Sequence, residues 1–451
     1  SGILAGSQNN VSGKCSSLAG GALNSVQGAL SFIGSGNLNT ASGINSFIGG
    51  GASNIASGTY STLSGGRSNN ASSGDSFIGG GRNNTANNSY ATVSGGYGNL
   101  SCDAFTFVGG GQYNGAKAAY AAVAGGYTTT ASGTYSFVGS GSVNTASGNC
   151  STIAGGKSNC ASGVASAIAG GFTNTASGAC SFVGGGSSNT SSSYWTTVSG
   201  GRLISATNSY ATVSGGYGNT ASGACSFIGA GYYNTASGGF SVTGGGQGNT
   251  ASAANATVSG GRSNTASGTR STIGGGYTNT ASGYGTVTSG GSGNNSGGTY
   301  STVGGGANND AVASYSTVSG GYNNCATATG YMATVGGGCV NNASGNNSGT
   351  FSGRYNNATA TLSIIAGGNQ NTASGGCSVV VGGEFNTASG GWSFIGSGYN
   401  NSASNSYAVV GGGWRNQALA YASTVSGGYC NRSGGLVASV GGGVCNIICS
   451  S

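Results

Sequence analysis

The chain carries twelve cysteines and only four acids, Asp75, Asp103, Asp310 and Glu384, and it has no histidine. Those residue types fix which chemistry is open to it. Without imidazole there is no Ser-His or Cys-His dyad and no nitrogen ligand for a transition metal. Cleavage of a glycosidic bond needs two carboxylates converging on it, and Asp75 and Asp103 stand at different points of the repeat described below. Gly155-Gly156-Lys157-Ser158 resembles the end of a phosphate loop, but the glycine that must open such a loop is Ser151. The sequence therefore predicts no catalytic residue, no metal site and no cofactor. The thiols remain. Cys15, Cys150, Cys180, Cys225 and Cys377 share one repeat position, and Cys430 and Cys445 lie one repeat apart. Neighbours stacked about 4.8 Å apart are within the Cα range of a disulfide, so a Cys430–Cys445 bridge is expected.

What must position these side chains is unusual in composition. Of 451 residues, 100 are Gly and none is Pro, and charged residues make up 3%, against about 25% in an ordinary soluble domain. Collagen needs imino acids as well as glycine and is excluded. A flexible Gly/Ser linker would show no phase in its apolar residues. The net charge of +7 comes from eleven Lys and Arg that read as scattered along the chain, which is too sparse for a nucleic-acid partner. No run of 18 apolar residues exists to insert in a membrane. Twelve cysteines, together with sequons such as Asn70, Asn83, Asn99, Asn149, Asn255, Asn342 and Asn357, point to an extracellular, cell-surface or virion-surface setting.

The phase is strict. Ala-Ser-Gly recurs at Ala41, Ala56, Ala131, Ala146, Ala161, Ala176, Ala221, Ala236, Ala266 and Ala281, always at multiples of 15 residues, with degenerate copies between. Taking that Ala as position 1, the consensus is A-S-G-T-Y-S-(T/F)-V-(S/G)-G-G-Y-x-N-T. A two-residue insertion shifts the register around 329–342, so the chain reads as a continuous repeat over 1–328, the slip, and a continuation with a Cys-rich end over 343–451. So short a unit, poor in helix formers, fits one coil of an all-β solenoid (a β-roll or β-helix) of about 29 coils. Each coil is expected to hold two short strands, over positions 5–9 and 13–2, with glycine corners at 3, 10 and 11 where φ > 0 is cheap.

Strand alternation then sorts the columns. Inward go the small residue at 6, the Ala at 1 and the aliphatic residue at 8, represented by Ile33, Ile48, Val93, Val138, Val198 and Val213. Inward too goes the Asn of position 14, including Asn39, Asn54, Asn69, Asn84, Asn144 and Asn219, expected as an amide ladder bonding the coils above and below. Outward at 5, 7 and 9 go Tyr60, Tyr90, Phe47, Phe77, Phe107 and Phe137. Where position 7 is Phe, position 9 is Gly, as if a large ring needs an empty site beside it. One buried aliphatic side chain per coil is a thin interior, so the aromatic face is expected to join copies into a homo-oligomer, most simply a trimer.

At Ala131-Ser132-Gly133-Thr134-Tyr135-Ser136-Phe137-Val138-Gly139 the chain resembles the head repeats of YadA-like trimeric autotransporter adhesins, with a unit one residue longer and an additional Gly. It is also similar to Gly-rich repeat fibre proteins of large algal viruses and phages. The resemblance implies a trimeric left-handed β-roll and surface attachment.

Three functions follow as expectations. The first is a structural or adhesive fibre touching host-surface glycan or protein through position 12, at Tyr97, Tyr127, Arg67 and Arg82. The second is a filament of this chain assembled head to tail. The third is an ice-binding solenoid, against which the Phe residues interrupting the Thr column at position 7 count.

Overall fold

The structure, a computed structural model, describes residues 1–327 and 331–449. It is all-β, without helix among the described residues, and is a β-solenoid with about one 15-residue turn per repeat. The chain divides into two compact units, Ser1–Cys225 and Ser226–Ser451, each built of stacked coils. The coil at Ala41 shows the pattern: strands Thr40–Ala41 and Phe47–Ile48, then a single bridge at Ala52. Each pairs in parallel with its equivalent one repeat on, Thr40 with Ile55, Phe47 with Thr62 and Ala52 with Arg67. Like residues therefore lie over like.

The strands are shorter than the alternation suggested, and the reason is backbone handedness. Position 5 is in the left-handed region whatever residue occupies it: φ is 60° at Tyr60, 58° at Tyr90 and 56° at Trp195. Position 13 behaves alike, at Ser53 with 56° and Tyr113 with 56°. Ordinary ladder N–H groups donate to the next coil, as Thr40 does to Asn54 at 2.8 Å. The left-handed residues reverse the peptide and donate to the preceding coil: Tyr60 to Ile44 at 2.8 Å, Ser53 to Asn37 at 2.8 Å. A side chain there costs roughly 1–2 kcal/mol, and the hydrogen bond, repeated in stacked turns, offsets it. Position 5 is thus a corner beside the strand and not part of it.

The expected glycine corners differ from one another. Gly66, at position 11, has φ +96°, whereas Gly65 before it does not enter the left-handed region. Gly163, at position 3, has ordinary φ, but a Cβ on it would stand 2.0 Å from the Gly178 carbonyl oxygen of the next coil. Space, not φ, demands that glycine.

Inside, Ile33, Ile48, Val93, Val138, Val198 and Val213 are fully buried, as are the position-1 alanines. Several polar substitutions in the interior come with partners, although the buried Thr350 hydroxyl at position 8 has none. Where position 1 is Ser101 or Ser191, position 6 is Thr106 or Thr196, and the hydroxyls meet at 2.7 Å. Where position 8 is Thr288, Ser296 lies 2.8 Å away. The ordinary position-6 serine has less to bond. The Oγ atoms of Ser46, Ser136 and Ser151 are buried without a hydrogen-bond partner, and other coils place buried Ala91, Ala121 or Ala211 there. Ser136→Ala is accordingly expected to change stability by no more than about 0.5 kcal/mol, or to raise it, since no bond is lost; the thermal unfolding midpoint reads this directly.

The expected slip shows in the register. Thr317 pairs with Thr334 and Ala326 with Ala343, two residues more than one repeat. Residues 328–330, inside which the domain boundary at 328/329 was expected, lie outside the described residues.

Candidate functional site

The position-14 amides come first, because they hold the frame. Asn39, Asn54, Asn69, Asn84, Asn144 and Asn219 are all fully buried. Each amide works mainly on backbone. Asn54 Oδ1 accepts from the Asn69 N–H at 3.0 Å, while its Nδ2 donates to Gly50 O of its own coil at 3.0 Å and Gly66 O of the next at 2.9 Å. Direct amide-to-amide contact occurs at some steps, such as Asn39 Nδ2 to Asn24 Oδ1 at 3.1 Å. The ladder is therefore a stair of side chain to main chain, which ties each Gly-Gly corner to the coil above. Thr129 and Ile204 replace Asn and are also buried. Burial of Asn99 in this column leaves that sequon no access to a glycosyl group in the folded chain, while Asn149 and Asn255 are exposed.

Outside, two columns carry the large side chains. At the position-5 corner the rings stack along the coils: Tyr90 on Phe105 at 4.8 Å, Phe105 on Tyr120 at 5.0 Å and Tyr120 on Tyr135 at 4.7 Å, with ring planes within 8°. Tyr60, 58% exposed, and Tyr90, 52% exposed, belong to this corner. The phenylalanines at 7, among them Phe47, Phe77, Phe107 and Phe137, stand on the neighbouring strand near 40% exposed. Their link to glycine at 9 is met within the coil. The Phe107 ring edge lies 3.3 Å from where a Cβ on Gly109 would be, and that Cβ would also meet the Ala124 carbonyl oxygen at 2.4 Å. The pairing of Phe with Gly thus needs no second chain to explain it.

The second column is position 12, a row of single parallel bridges. The repeat already places Tyr97, Tyr127, Arg67 and Arg82 in this column, although the cations taken together along the chain read as scattered. Folding aligns Arg67, Arg82, Lys157 and Arg202 in the first unit, and Arg262 and Arg354 in the second. An aromatic ring follows four of these six one coil on, whereas Arg67 is followed by Arg82 and Arg354 by Asn369. Arg82 lies over Tyr97, Arg202 over Tyr217 and Arg262 over Tyr277, each 5.7 Å from the ring centroid, and Lys157 over Phe172 at 5.8 Å. Such pairs are worth about 0.5–1 kcal/mol when exposed. Tyr113 of position 13 packs edge-on to Tyr97 at 5.1 Å and to Tyr127 at 6.5 Å. The hydroxyl contact with Tyr113 draws the Tyr97 phenol below its usual range and pushes Tyr113 above it. The row itself was expected from the repeat; the cation–ring pairing between successive coils is what the structure adds.

The acids are held singly. Asp103 Oδ1 accepts from the Ala104 N–H at 2.7 Å, and Glu384 accepts from Asn369 Nδ2 at 2.7 Å. No group of three or more potential metal ligands occurs among the described residues, and no helix there is long and apolar enough to cross a membrane.

The expected Cys430–Cys445 bridge is not formed, and all twelve thiols are free. Exact parallel stacking keeps equivalent Cβ atoms as far apart as their Cα atoms, about 4.8 Å, whereas a disulfide draws the Cβ atoms to 3.5–4.5 Å. The thiols differ in character. Burial, followed by the Asp310 carboxylate on the preceding coil, pushes Cys325 up to about 11. Burial also raises Cys102, against the pull of Lys117. From an ordinary value near 9.0, Cys325 loses roughly a hundredfold in thiolate at pH 8. In a timed alkylation followed by mass spectrometry, Cys325 is expected to lag far behind the exposed Cys15, Cys150, Cys445 and Cys449; equal rates would contradict its placement.

No protein-family model matches the chain, and no curated protein matches it.

Proposed function

We propose that this chain is a structural and adhesive fibre of a cell or virion surface, a repeating frame that presents aromatic and basic columns to a glycan or protein. The observation that carries the reading is the repeated Arg–aromatic pair of position 12, at Arg82/Tyr97, Arg202/Tyr217 and Arg262/Tyr277. Tyr and Arg together supply flat apolar area, hydrogen-bond donors and fixed charge, the combination that dominates contact energies at protein surfaces. The frame beneath contributes rigidity, since its corners and amide stair leave little freedom. A location outside the cell rests on the exposed sequons and not on disulfides. Self-association through the Phe rows of position 7 belongs to the same reading, supported by their exposure.

A printed panel of neutral and acidic glycans tests the attachment. The intact chain is expected to bind a subset, and the combined variant Arg82→Ala, Arg202→Ala, Arg262→Ala to lose most of that signal while its melting curve is retained. Equal binding by the variant, or none by the parent to glycans or whole cells, removes the proposal. Sedimentation showing a monomer at every accessible concentration removes the self-association.

A further inference from the structure

The side of the coil formed by positions 15, 1 and 2 differs from the other two. The ladder runs through all three, because the Thr40 N–H donates to Asn54 and the Ser42 N–H to Ala56 on the next coil. Position 1 is buried. Its neighbours 15 and 2 therefore share the outward face, and in the consensus these are Thr and Ser. Across 130–222 of the first unit, seven successive coils carry a hydroxyl at both positions, with Cys160 the one exception. Across 235–282 of the second unit, four successive coils read Thr-Ala-Ser without exception. The charged residues of this side, Lys117, Asp310 and Arg432, all fall outside both stretches.

We infer that this face binds ice. Parallel stacking spaces the hydroxyls by about 4.8 Å between coils, and by about 6.6 Å between positions 15 and 2 along a coil. That rectangular mesh is close to the oxygen spacing on a prism plane of ice. The backbone beneath is held by ladder bonds near 2.8–3.0 Å, so the mesh does not need ordering on contact. Threonine supplies a methyl group that water cages and a hydroxyl that anchors the cage, and the buried Ala between the columns keeps the surface shallow.

Other occupants fit less well. A protein partner favours Tyr, Trp and Arg at an interface centre, and a glycan platform offers aromatic faces; the two stretches have neither. The strand bearing position 7 carries no such mesh, since Phe137 and Phe182 stand among its threonines. The inference is thus independent of the attachment proposed through position 12.

Thermal hysteresis and ice-crystal shaping of the intact chain are the test, read beside Thr145→Lys with Thr175→Lys on this face and Thr152→Lys with Thr197→Lys on the position-7 strand. Melting curves identify any variant that fails to fold, and Thr145→Val with Thr175→Val, which keep the shape, stand in for it. A hysteresis gap and faceted crystals are expected for the parent and the position-7 variant, with loss of both for the Lys variant of this face. Absence of hysteresis in the parent, equal loss in both Lys variants, or sedimentation showing that the face instead pairs two copies would overturn the inference.

Discussion

Gly261→Ala is expected to disrupt the coils on either side of it, while Gly260→Ala, one residue earlier in the same dipeptide, leaves stability nearly unchanged. Gly261 has φ +88°, and a Cβ there would lie 2.2 Å from the Gly276 carbonyl oxygen of the next coil. That oxygen accepts the Arg262 N–H at 2.8 Å and Asn264 Nδ2 at 3.0 Å. The neighbour is backbone in a stack, so it cannot swing aside. Relief requires the coils to part and both hydrogen bonds to lengthen. Adding the left-handed penalty of roughly 1–2 kcal/mol, the loss is expected to reach about 4 kcal/mol, at the upper end for a single substitution. Around Gly260 nothing lies within 4 Å of the added carbon. Its effect should stay within about 0.5 kcal/mol. The chain itself agrees: position 11 is Gly in every coil, whereas position 10 admits Ser35, Ser140, Ala230 and Ser397. Hydrogen exchange would place the Gly261→Ala damage in adjacent coils, because in a stacked array each turn touches only its neighbours. Equal melting of the two variants would contradict the corner geometry.

Asn159→Ala should be nearly as costly, for a different reason. Asn159 Oδ1 accepts the Asn174 N–H at 2.9 Å, and Nδ2 donates to Gly155 O at 3.1 Å and Gly171 O at 3.0 Å. Truncation leaves a buried N–H without its acceptor and removes two donors, a loss of about 2–4 kcal/mol. Asn159→Asp separates hydrogen bonding from volume. A carboxylate still accepts from Asn174 but faces two carbonyl oxygens in place of donating to them, and burial adds desolvation, so its folded pKa is raised. The folded chain then prefers the protonated acid. Stability is retained below the unfolded value near 3.9 and is lost as pH rises toward the folded value. Asn159→Asp is therefore expected to melt lower at pH 7 than at pH 4 relative to the parent, whereas Asn159→Ala shows no such dependence. A pH-independent deficit for the Asp variant would place the amide somewhere other than the stair.

Much of this frame could be read from residue spacing. The period, the buried columns at 1, 6, 8 and 14 and the outward phenylalanines follow from what each position tolerates. Ile48 and Val93 admit no polar charge, and Asn39 and Asn54 recur where a simple turn residue would vary. The corners at 5 and 13 were hidden for a physical reason. Tyr60, Tyr90 and Trp195 are bulky residues that ordinarily signal strand, and only the backward hydrogen bond to the preceding coil makes a left-handed conformation affordable there. Glycine's two roles were equally concealed, since sequence does not distinguish Gly66, which needs φ, from Gly163, which needs space. The expected Cys430–Cys445 bridge is not seen, both thiols being free. The position-12 row of Tyr97, Tyr127, Arg67 and Arg82 was legible from the period, but the stacking of each cation on the ring one coil on was not, because it depends on side-chain placement between coils.

The claim on which all else rests is that one repeat makes one lap, so that fifteen residues advance the chain by a single strand spacing. Spin labels on Ser147 paired in turn with Ser192, Thr207 and Ser222, in a chain whose native cysteines are replaced by serine, measure this within the first unit. The account predicts distances that climb linearly by about 4.8 Å for each added repeat. Distances that fail to rise with repeat number, or that rise by much more per repeat, would contradict it.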